Sequence, residues 1–225
     1  NNLEKNIKFF KPNVIFNALH GQFGEDGYIQ TILDKFKIPY THSGAIASSI
    51  AMDKEISKKL FIKNKIKTPK FFTYSYDITK SNLIKKINKN LRFPVVIKPL
   101  NEGSSVNVYI TNKKTLDKIL YKLRVYKKIL IEEFIGGREI QVAIMGDKKL
   151  GAIELKPKRK FYDYQAKYDS KSKTQHIIPV DLPKSKFNKV MDIAYKAHKI
   201  IGCRGVTRSD FKFFNGNFYL LELNT

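Results

Sequence analysis

Apolar residues recur along the chain with two periods, which together predict a mixed α/β fold. A spacing of three to four residues predicts amphipathic helices. These helices are expected around 29–36, 53–64, 80–90, 116–123 and 184–201. Short apolar runs bounded by turn residues predict strands. Strands are expected at 14–18, 95–98, 106–111, 129–135, 139–145 and 150–155, with a last hairpin around Asn215 and Gly216.

The stretches between these elements suggest how the chain is divided. Strand, loop and helix follow one another within 14–36, with Asp26 as a candidate helix cap, and this order indicates an α/β unit at the start. The small residues of 43–49 form a candidate boundary. Residues 156–176 are polar, rich in Lys and Tyr, and without periodicity, so they predict a long loop. Loops of that length are often functional lids.

The terminal hairpin carries four polar residues within apolar strands. Arg208 and Asp210 are two apart, as are Glu222 and Asn224, so each pair shares one face of its strand. A two-residue turn would separate the acids onto opposite faces, whereas a three-residue turn at 215–217 places Asp210 opposite Glu222. Facing carboxylates need a cation, and oxygen ligands suit Mg²⁺. A structural pair between Arg208 and a carboxylate is the alternative.

Three features in the middle of the chain could bind an anion. The loop 102–105 offers backbone N–H groups and two hydroxyls, with an ordinary turn as the alternative. Lys98 ends an apolar strand, where a buried ammonium needs an anionic partner. Glu139 begins a strand after two glycines and Arg138, where a contact to a ribose and a simple salt bridge are both open.

Composition limits the function classes. The 225 residues carry a net charge of +23, which first suggests nucleic acid or an anionic membrane as a partner. The excess is nearly all lysine spread along the whole chain, which favours a solvated surface instead. No apolar run is long enough for a membrane span, and no secretory signal is seen. The single cysteine, Cys203, excludes a disulfide scaffold and indicates the cytosol.

Simple nucleotide and hydrolase motifs are missing. The sequence contains no G-x-x-x-x-G-K-[ST], G-x-G-x-x-G, H-E-x-x-H or G-x-S-x-G. The first residue is not Met, and the last residues read as a strand without a cap. We therefore expect this sequence to be a segment of a longer protein.

Taken in order, eight motifs resemble the D-alanine–D-alanine ligases of the ATP-grasp superfamily. They are ALHGQFGEDG at 18–27, MDK at 52–54, VIKP at 96–99, EGSSV at 102–106, GREI at 137–140, FYDYQAKY at 161–168, GVTRSD at 205–210 and LELNT at 221–225. The resemblance implies an α/β ATP-grasp fold with α+β lobes. It implies a partial N-terminal α/β domain at 1–45, a first lobe at 46–132 and a second lobe at 133–225.

The resemblance also implies a reaction. One D-alanine carboxylate attacks the γ-phosphate of ATP to give an acyl phosphate, and the amine of a second D-alanine then displaces phosphate. The dipeptide serves peptidoglycan precursor synthesis in the cytoplasm. The implied cofactors are ATP and two Mg²⁺ ions, which Mn²⁺ could replace. No nucleic acid or membrane partner is expected. Dimers are common in the family, so a homodimer is left open for this chain.

Residue roles follow from the same resemblance. Phosphates are contacted by Lys54, Lys98, Ser105 and Lys167, adenine is bordered by Glu132, Glu133 and Ile135, and ribose is held by Glu139. The Mg²⁺ ligands are Asp210, Glu222 and Asn224. Catalysis involves Arg208, which stabilises developing negative charge, Tyr168 of the lid hydrogen-bonding towards Ser104, and His20 on the substrate side.

The chain departs from the family pattern at several points. Asn107 stands where the family commonly has a second glycine. The family's N-terminal strand with a substrate-binding glutamate and its C-terminal Pro-Gly-Met loop have no counterpart in this chain. A ligase that uses D-lactate or D-serine as acceptor remains open, although Tyr168 argues against D-lactate. Binding of ATP and Mg²⁺ without turnover also stays open, as does nucleic-acid binding.

Overall fold

Two antiparallel sheets and their covering helices make up the structure, a computed structural model that describes residues 2–103, 106–156 and 174–225. The helices are α1 (Asn2–Phe10), α2 (Tyr28–Lys35), α3 (Ala45–Met52), α4 (Lys54–Lys63), α5 (Lys80–Asn90), α6 (Leu116–Leu123) and α7 (Lys184–Ile201). The strands are β1 (Phe71–Ser75), β2 (Val95–Pro99), β3 (Tyr109–Thr111), β4 (Lys128–Glu133), β5 (Arg138–Met145), β6 (Lys148–Lys156), β7 (Gln175–Ile177), β8 (Val206–Phe214) and β9 (Asn217–Asn224). The predicted mixture of helices and strands is confirmed.

The strands divide into a smaller and a larger sheet. The smaller sheet has the order β1-β4-β2-β3, and the larger has the order β7-β6-β5-β8-β9. The chain passes from the first to the second between β4 and β5, through the short segment 134–137. This connection brings the ends of both sheets to one place, where the candidate site lies.

Each sheet has its own hydrophobic core. Helices α5 and α6 cover the smaller sheet with fully buried residues such as Leu83 and Leu116. Helix α7 covers the larger sheet, and α3 and α4 add residues such as Ala47 and Phe61 to the same core. Full burial of a side chain like Phe61 contributes about 1.5–3 kcal/mol. The predicted division of the chain at residues 45 and 132 stays a prediction.

Local signals explain why the best-predicted helices form where they do. Helix α4 begins after Asp53, whose Oδ1 accepts hydrogen bonds from the N–H groups of Glu55 at 2.8 Å and Ile56 at 2.9 Å. Helix α7 ends at Gly202 with φ of 80°, the left-handed conformation common at helix C-termini. The predictions for 53–64, 80–90, 116–123 and 184–201 are confirmed.

Other predicted elements were wrong or incomplete. The expected strand at 14–18 is only an isolated parallel bridge between Ile15 and Tyr40. Helix α3 was missed within the small residues of 43–49, whose Ala and Ser side chains allow it to pack closely in the core of the larger sheet. Their role as a boundary stays a prediction. The strand expected at 106–111 is shortened to β3. Helix α1 and strand β1 were missed.

Two helix and loop boundaries also differ from expectation. Gly27, rather than Asp26, occupies the N-cap position of α2, although the Asp26 carboxylate accepts from the N–H of Tyr28 at 2.9 Å. The expected loop 156–176 loses its ends to β6 and β7. Its part at 157–173, including the expected lid, lies outside the described residues.

The terminal hairpin has the predicted residue pairing, but with a different turn. Asn215 and Gly216 form a two-residue turn with φ of 46° and 72°, as type I′ turns require. The register then shifts by one residue beside Phe211, and the bulge restores the pairing of Asp210 with Glu222 and of Arg208 with Asn224. The expected three-residue turn was therefore wrong, and the expected facing pairs are confirmed.

No helix in the described parts of the chain is both long and apolar enough to cross a membrane.

Candidate active site

A cavity of about 310 Å³ lies between the two sheets. Its volume is at the lower end of the range for small-molecule sites. Side chains from both sheets and from α4 line it, and an apolar wall includes Val96, Ile110, Phe134 and Leu221. Eight residues predicted from the sequence lie in this lining: Lys54, Lys98, Glu132, Glu133, Ile135, Glu139, Asp210 and Glu222. The structure thus brings together residues that are far apart in the sequence.

Two buried lysines give one end of the cavity its positive charge. The Lys54 ammonium donates to the carbonyl oxygen of Glu102 at 2.6 Å and lies 3.6 Å from a carboxylate oxygen of Glu222. The Lys98 ammonium lies 2.6 Å from Oε1 of Glu132. Burial lowers the pKa of Lys54, and the charge of Glu222 partly opposes this. Both ammoniums line the cavity, where they can bind an anionic ligand.

The terminal hairpin supplies the acidic side. Arg208 binds Asp210 through two hydrogen bonds, from Nε at 2.8 Å and from a terminal nitrogen at 3.0 Å. Burial alone would lower the pKa of Arg208, but the charge of Asp210 and these hydrogen bonds outweigh it and raise the pKa. The Asn224 amide, on the neighbouring strand, lies 3.4 Å from the Asp210 carboxylate. The structural pair that the sequence left open is therefore present in this structure.

The hairpin's donor set also fits a magnesium ion. Within residues 2–103, 106–156 and 174–225, no three His, Cys, Asp or Glu side chains are grouped to hold a metal. The predicted set has only two carboxylates, Asp210 and Glu222, and adds the amide oxygen of Asn224. These are all oxygen donors, and Mg²⁺ commonly takes one or two carboxylates and completes its shell with water and phosphate oxygens. A carboxylate has about four lone-pair sites, so the two bonds from Arg208 do not by themselves fill the Asp210 carboxylate.

Two predicted nucleotide contacts have protein partners here. Glu139 accepts from the Lys212 ammonium at 2.9 Å, so the salt bridge left open for it is present. Glu132, expected beside adenine, is only 3% exposed, and its carboxylate lies between Lys98 and a second lysine, Lys58. Neither Lys58 nor Lys212 was predicted from the sequence. Lys58 lies four residues after Lys54, on the same helix face, and this spacing was the available signal.

The predicted anion-binding loop is held at both flanks by one tyrosine. Tyr126 donates to a carboxylate oxygen of Glu102 at 2.8 Å and accepts from the Asn107 amide at 2.8 Å. Asn107 has φ of 55°, a left-handed conformation that Asn tolerates better than most residues. This accounts for Asn where the family commonly has glycine. Ser104 and Ser105 themselves lie outside the described residues.

The remaining predicted residues are not gathered in the cavity. His20 is exposed and does not line the cavity. Its chain neighbour Gly21 lies close to the loop at Gly103, since a β-carbon added to Gly103 would be 3.4 Å from the Gly21 Cα. Asn224 lines a small adjoining depression together with Lys54 and Glu222. Lys167 and Tyr168 lie outside the described residues, so their roles stay predictions.

A family model described as "D-ala D-ala ligase C-terminus" matches residues 60–225. The chain belongs to the D-alanine–D-alanine ligase family. It is 70% identical over 224 residues to a D-alanine–D-alanine ligase of Pelagibacter ubique, covering all of this chain and 74% of that protein. It is 39% identical over 228 residues to one of Wolbachia pipientis, covering all of this chain and 70% of that protein.

Solved structures of ligases share the fold. A D-alanine–D-alanine ligase of Bacillus anthracis in complex with ATP has a TM-score of 0.82 and 28% identity, over all of this chain and 72% of that one. A D-Ala:D-Ser ligase of Enterococcus faecalis has a TM-score of 0.83 and 28% identity, over 95% of this chain and 63% of that one. The expected ATP-grasp fold is thereby confirmed for this D-alanine–D-alanine ligase family member.

Proposed function

We propose that this chain catalyses the ATP-dependent joining of two D-alanines to D-alanyl-D-alanine, forming ADP and phosphate, for peptidoglycan precursors. The observation that carries the proposal is the cavity that Lys54 and Lys98 line together with the carboxylates of Asp210 and Glu222. Cationic side chains and potential metal ligands around one cavity suit a nucleoside triphosphate. The 70% identical relative, named a D-alanine–D-alanine ligase, supports this substrate choice. We place the reaction in the cytoplasm, where ATP is available.

The chemistry explains why ATP is needed. A carboxylate is a poor electrophile, so its oxygen first attacks the γ-phosphorus of ATP and releases ADP. The resulting acyl phosphate has a good leaving group. The amine of the second D-alanine attacks the acyl carbon, phosphate leaves, and the amine loses a proton. Phosphoryl transfer needs positioning and charge neutralisation more than covalent help from the protein.

Residues of the cavity and of the terminal hairpin have distinct roles in this reaction. Lys54 and Lys98 bind phosphate oxygens and neutralise their charge, and Ile135 packs beside the base. Glu139 accepts from the ribose hydroxyls, exchanging part of its contact with Lys212.

Arg208 stabilises the negative charge that develops on the acyl phosphate and on the tetrahedral intermediate. Glu132 and Glu133 border the base, with Glu132 also fixing Lys98.

Magnesium is the metal that we propose for the hairpin. When bound, Mg²⁺ neutralises phosphate charge, and the ligands offered by this chain are Asp210, Glu222 and Asn224. Two ions are expected, and Mn²⁺ should substitute. Ser105 and Lys167 are assigned to phosphate, Ser104 and Tyr168 to the lid contact, and His20 to the substrate side, all from the family resemblance.

A specific observation favours a second candidate. One structural neighbour is a D-Ala:D-Ser ligase with a TM-score of 0.83. A change of acceptor therefore needs no change of fold, and D-serine or D-lactate remain the competing acceptors. Tyr168, which resembles the dipeptide-forming type, favours D-alanine over D-lactate.

Steady-state ADP release with D-alanine, D-serine or D-lactate as acceptor tests these assignments. We expect D-alanine to give the highest kcat/KM, and a preference for D-lactate at neutral pH would overturn the choice of acceptor. Nucleotide binding without ADP release would show instead that the chain binds ATP without turning it over. Gel filtration tests whether this chain forms the homodimer that is common in the family.

Nucleic-acid binding driven by the charge of +23 is the least favoured function. Binding to duplex DNA should be weak and no more salt-dependent than that of an unrelated protein of equal charge. Tight binding with a steep salt dependence would support it instead.

A further inference from the structure

Lys58 is completely buried, which is unusual for a lysine. It lies on α4, and its ammonium is 2.9 Å from Oε2 of Glu132. The same ammonium donates to the Thr68 hydroxyl at 2.6 Å and lies 5.7 Å from the centre of the Phe71 ring. A buried ammonium is costly unless it is paired and hydrogen-bonded, so this position is satisfied from several sides.

Glu132 is shared between two lysines. Its Oε2 faces Lys58 at 2.9 Å, and its Oε1 faces Lys98 at 2.6 Å. Burial would raise the pKa of Glu132, but the charges of Lys58 and Lys98 outweigh it and lower the pKa, so the carboxylate stays ionised. Two ammoniums and one carboxylate leave the trio with one net positive charge.

Of the two lysines in this trio of Lys58, Glu132 and Lys98, only one lines the cavity. Lys98 lines the cavity, whereas Lys58 is behind Glu132 and does not line it. If Glu132 faced Lys98 alone, the pair would be neutral and would attract a phosphate weakly. With Lys58 behind the carboxylate, the charge of Lys98 remains available to a ligand.

We propose that Lys58 is a positioning residue for nucleotide binding, which fixes Glu132 and thereby holds Lys98 towards the ATP phosphates with its charge only partly neutralised. This inference rests on the proposed function, because Lys98 contacts phosphate only if the cavity binds ATP. Lys58 itself touches neither the ligand nor the reacting atoms.

The protonation state of Lys58 supports this arrangement. Burial lowers the pKa of Lys58 to about 8, although the charge of Glu132 opposes the shift. The charged groups that face it are Glu132 on β4, Lys98 on β2 and Glu222 on β9. Lys58 is therefore mostly protonated at pH 7 and mostly neutral at pH 9. Above pH 8, the trio loses its net charge, and nucleotide affinity should fall.

The variant Lys58→Met tests the proposal, because Met has similar length and no charge. Lys59→Met is the matched control, since Lys59 is the next residue on α4, is exposed, and pairs only with Glu55 at the surface among the contacts described. The measurements are KM for ATP and for D-alanine, and the Kd of the ATP analogue AMP-PNP with MgCl₂ by calorimetry. We expect K58M to raise KM for ATP and this Kd by about 10- to 100-fold, the same range as when a residue that orients a metal ligand is replaced. KM for D-alanine should stay unchanged, and K59M should match the original protein.

A folded K58M with unchanged KM for ATP and unchanged AMP-PNP affinity would overturn the proposal. A second measurement decides the matter if K58M does not fold. AMP-PNP affinity of the original protein should fall more steeply between pH 7 and 9.5 than that of Lys58→Arg, whose guanidinium stays charged. Equal pH dependence in the two proteins, both shown by circular dichroism to be folded, would refute the role of Lys58. If the original protein binds no AMP-PNP and releases no ADP at pH 7, it is the proposed function that fails.

Discussion

Gly137 offers a sharp test of how the segment between the two sheets is built. It has φ of 85° and directly precedes Arg138 and Glu139 at the start of β5. A β-carbon at Gly137 would lie 2.3 Å from the carbonyl oxygen of Phe213 and 3.2 Å from Cβ of Phe214. Since backbone atoms block the space, Gly137→Ala must move either β8 or the connection.

The expected cost has two parts. An alanine in the left-handed conformation costs about 1 kcal/mol, and forcing a methyl group into packed backbone adds about 2 kcal/mol. A loss of about 3 kcal/mol lowers Tm by about 6–12 °C in a chain of this length. Gly146→Ala is the matched control, because Gly146 has φ of 57° but no atom within 4 Å of the added carbon. It should lower Tm by only about 2–4 °C.

Thermal unfolding followed by circular dichroism measures both variants, and AMP-PNP calorimetry at 20 °C adds a functional readout. G137A should also weaken nucleotide binding, because the connection places Glu139 and the cavity wall at Ile135. G146A should leave that affinity unchanged, since its turn is remote from the cavity lining. Equal Tm values for the two alanine variants would show that the close approach to Phe213 does not constrain the connection.

Three further outcomes can be measured. Glu222→Gln should lower Mg²⁺-dependent turnover at least about a hundredfold with an unchanged circular dichroism spectrum, because it removes the negative charge of a proposed Mg²⁺ ligand but little volume. An unchanged dependence on Mg²⁺ would show that the carboxylate is structural. Tyr126→Phe should raise KM for ATP several-fold without affecting KM for D-alanine, because it releases both flanks of the loop around Gly103; equal kinetics would refute that role. Burial raises the pKa of Cys203 to about 11, so a thiol reagent should label it at pH 8 only after denaturation, and fast labelling of native protein would contradict its burial.

The terminal hairpin shows what sequence reasoning can reach. Residues two apart on a strand share a face whatever the turn, so the pairs Arg208–Asp210 and Glu222–Asn224 follow from the strand period alone. Which residues of the two strands lie opposite each other depends on the register, and the turn length that sets the register was predicted wrongly. A two-residue turn and a one-residue bulge together give the register expected from a three-residue turn. The bulge has no sequence signal strong enough to predict it, because neighbouring strands decide whether it forms.

The interior of the molecule was less predictable for a different reason. Helix α3 was missed because Ala and Ser carry little hydrophobic signal, yet small side chains are what allow a helix to pack closely. Glu132 was expected at the base because the family resemblance assigns it there, whereas its two ammonium partners depend on tertiary contacts between α4, β2 and β4. Such ion pairs join different secondary-structure elements, so the residue pattern within one element does not predict them.

Burial distinguishes the candidate functional cations better than net charge does. The +23 is spread along the sequence, and almost every lysine that the structure describes reaches solvent. Within residues 2–103, 106–156 and 174–225, only Lys54, Lys58 and Lys98 are buried, and Glu132 and Glu222 lie beside them. Three buried ammoniums against two carboxylates leave a positive charge that burial makes costly. A polyanionic ligand would offset that cost, so we expect the cluster that weakens the empty fold to strengthen nucleotide binding.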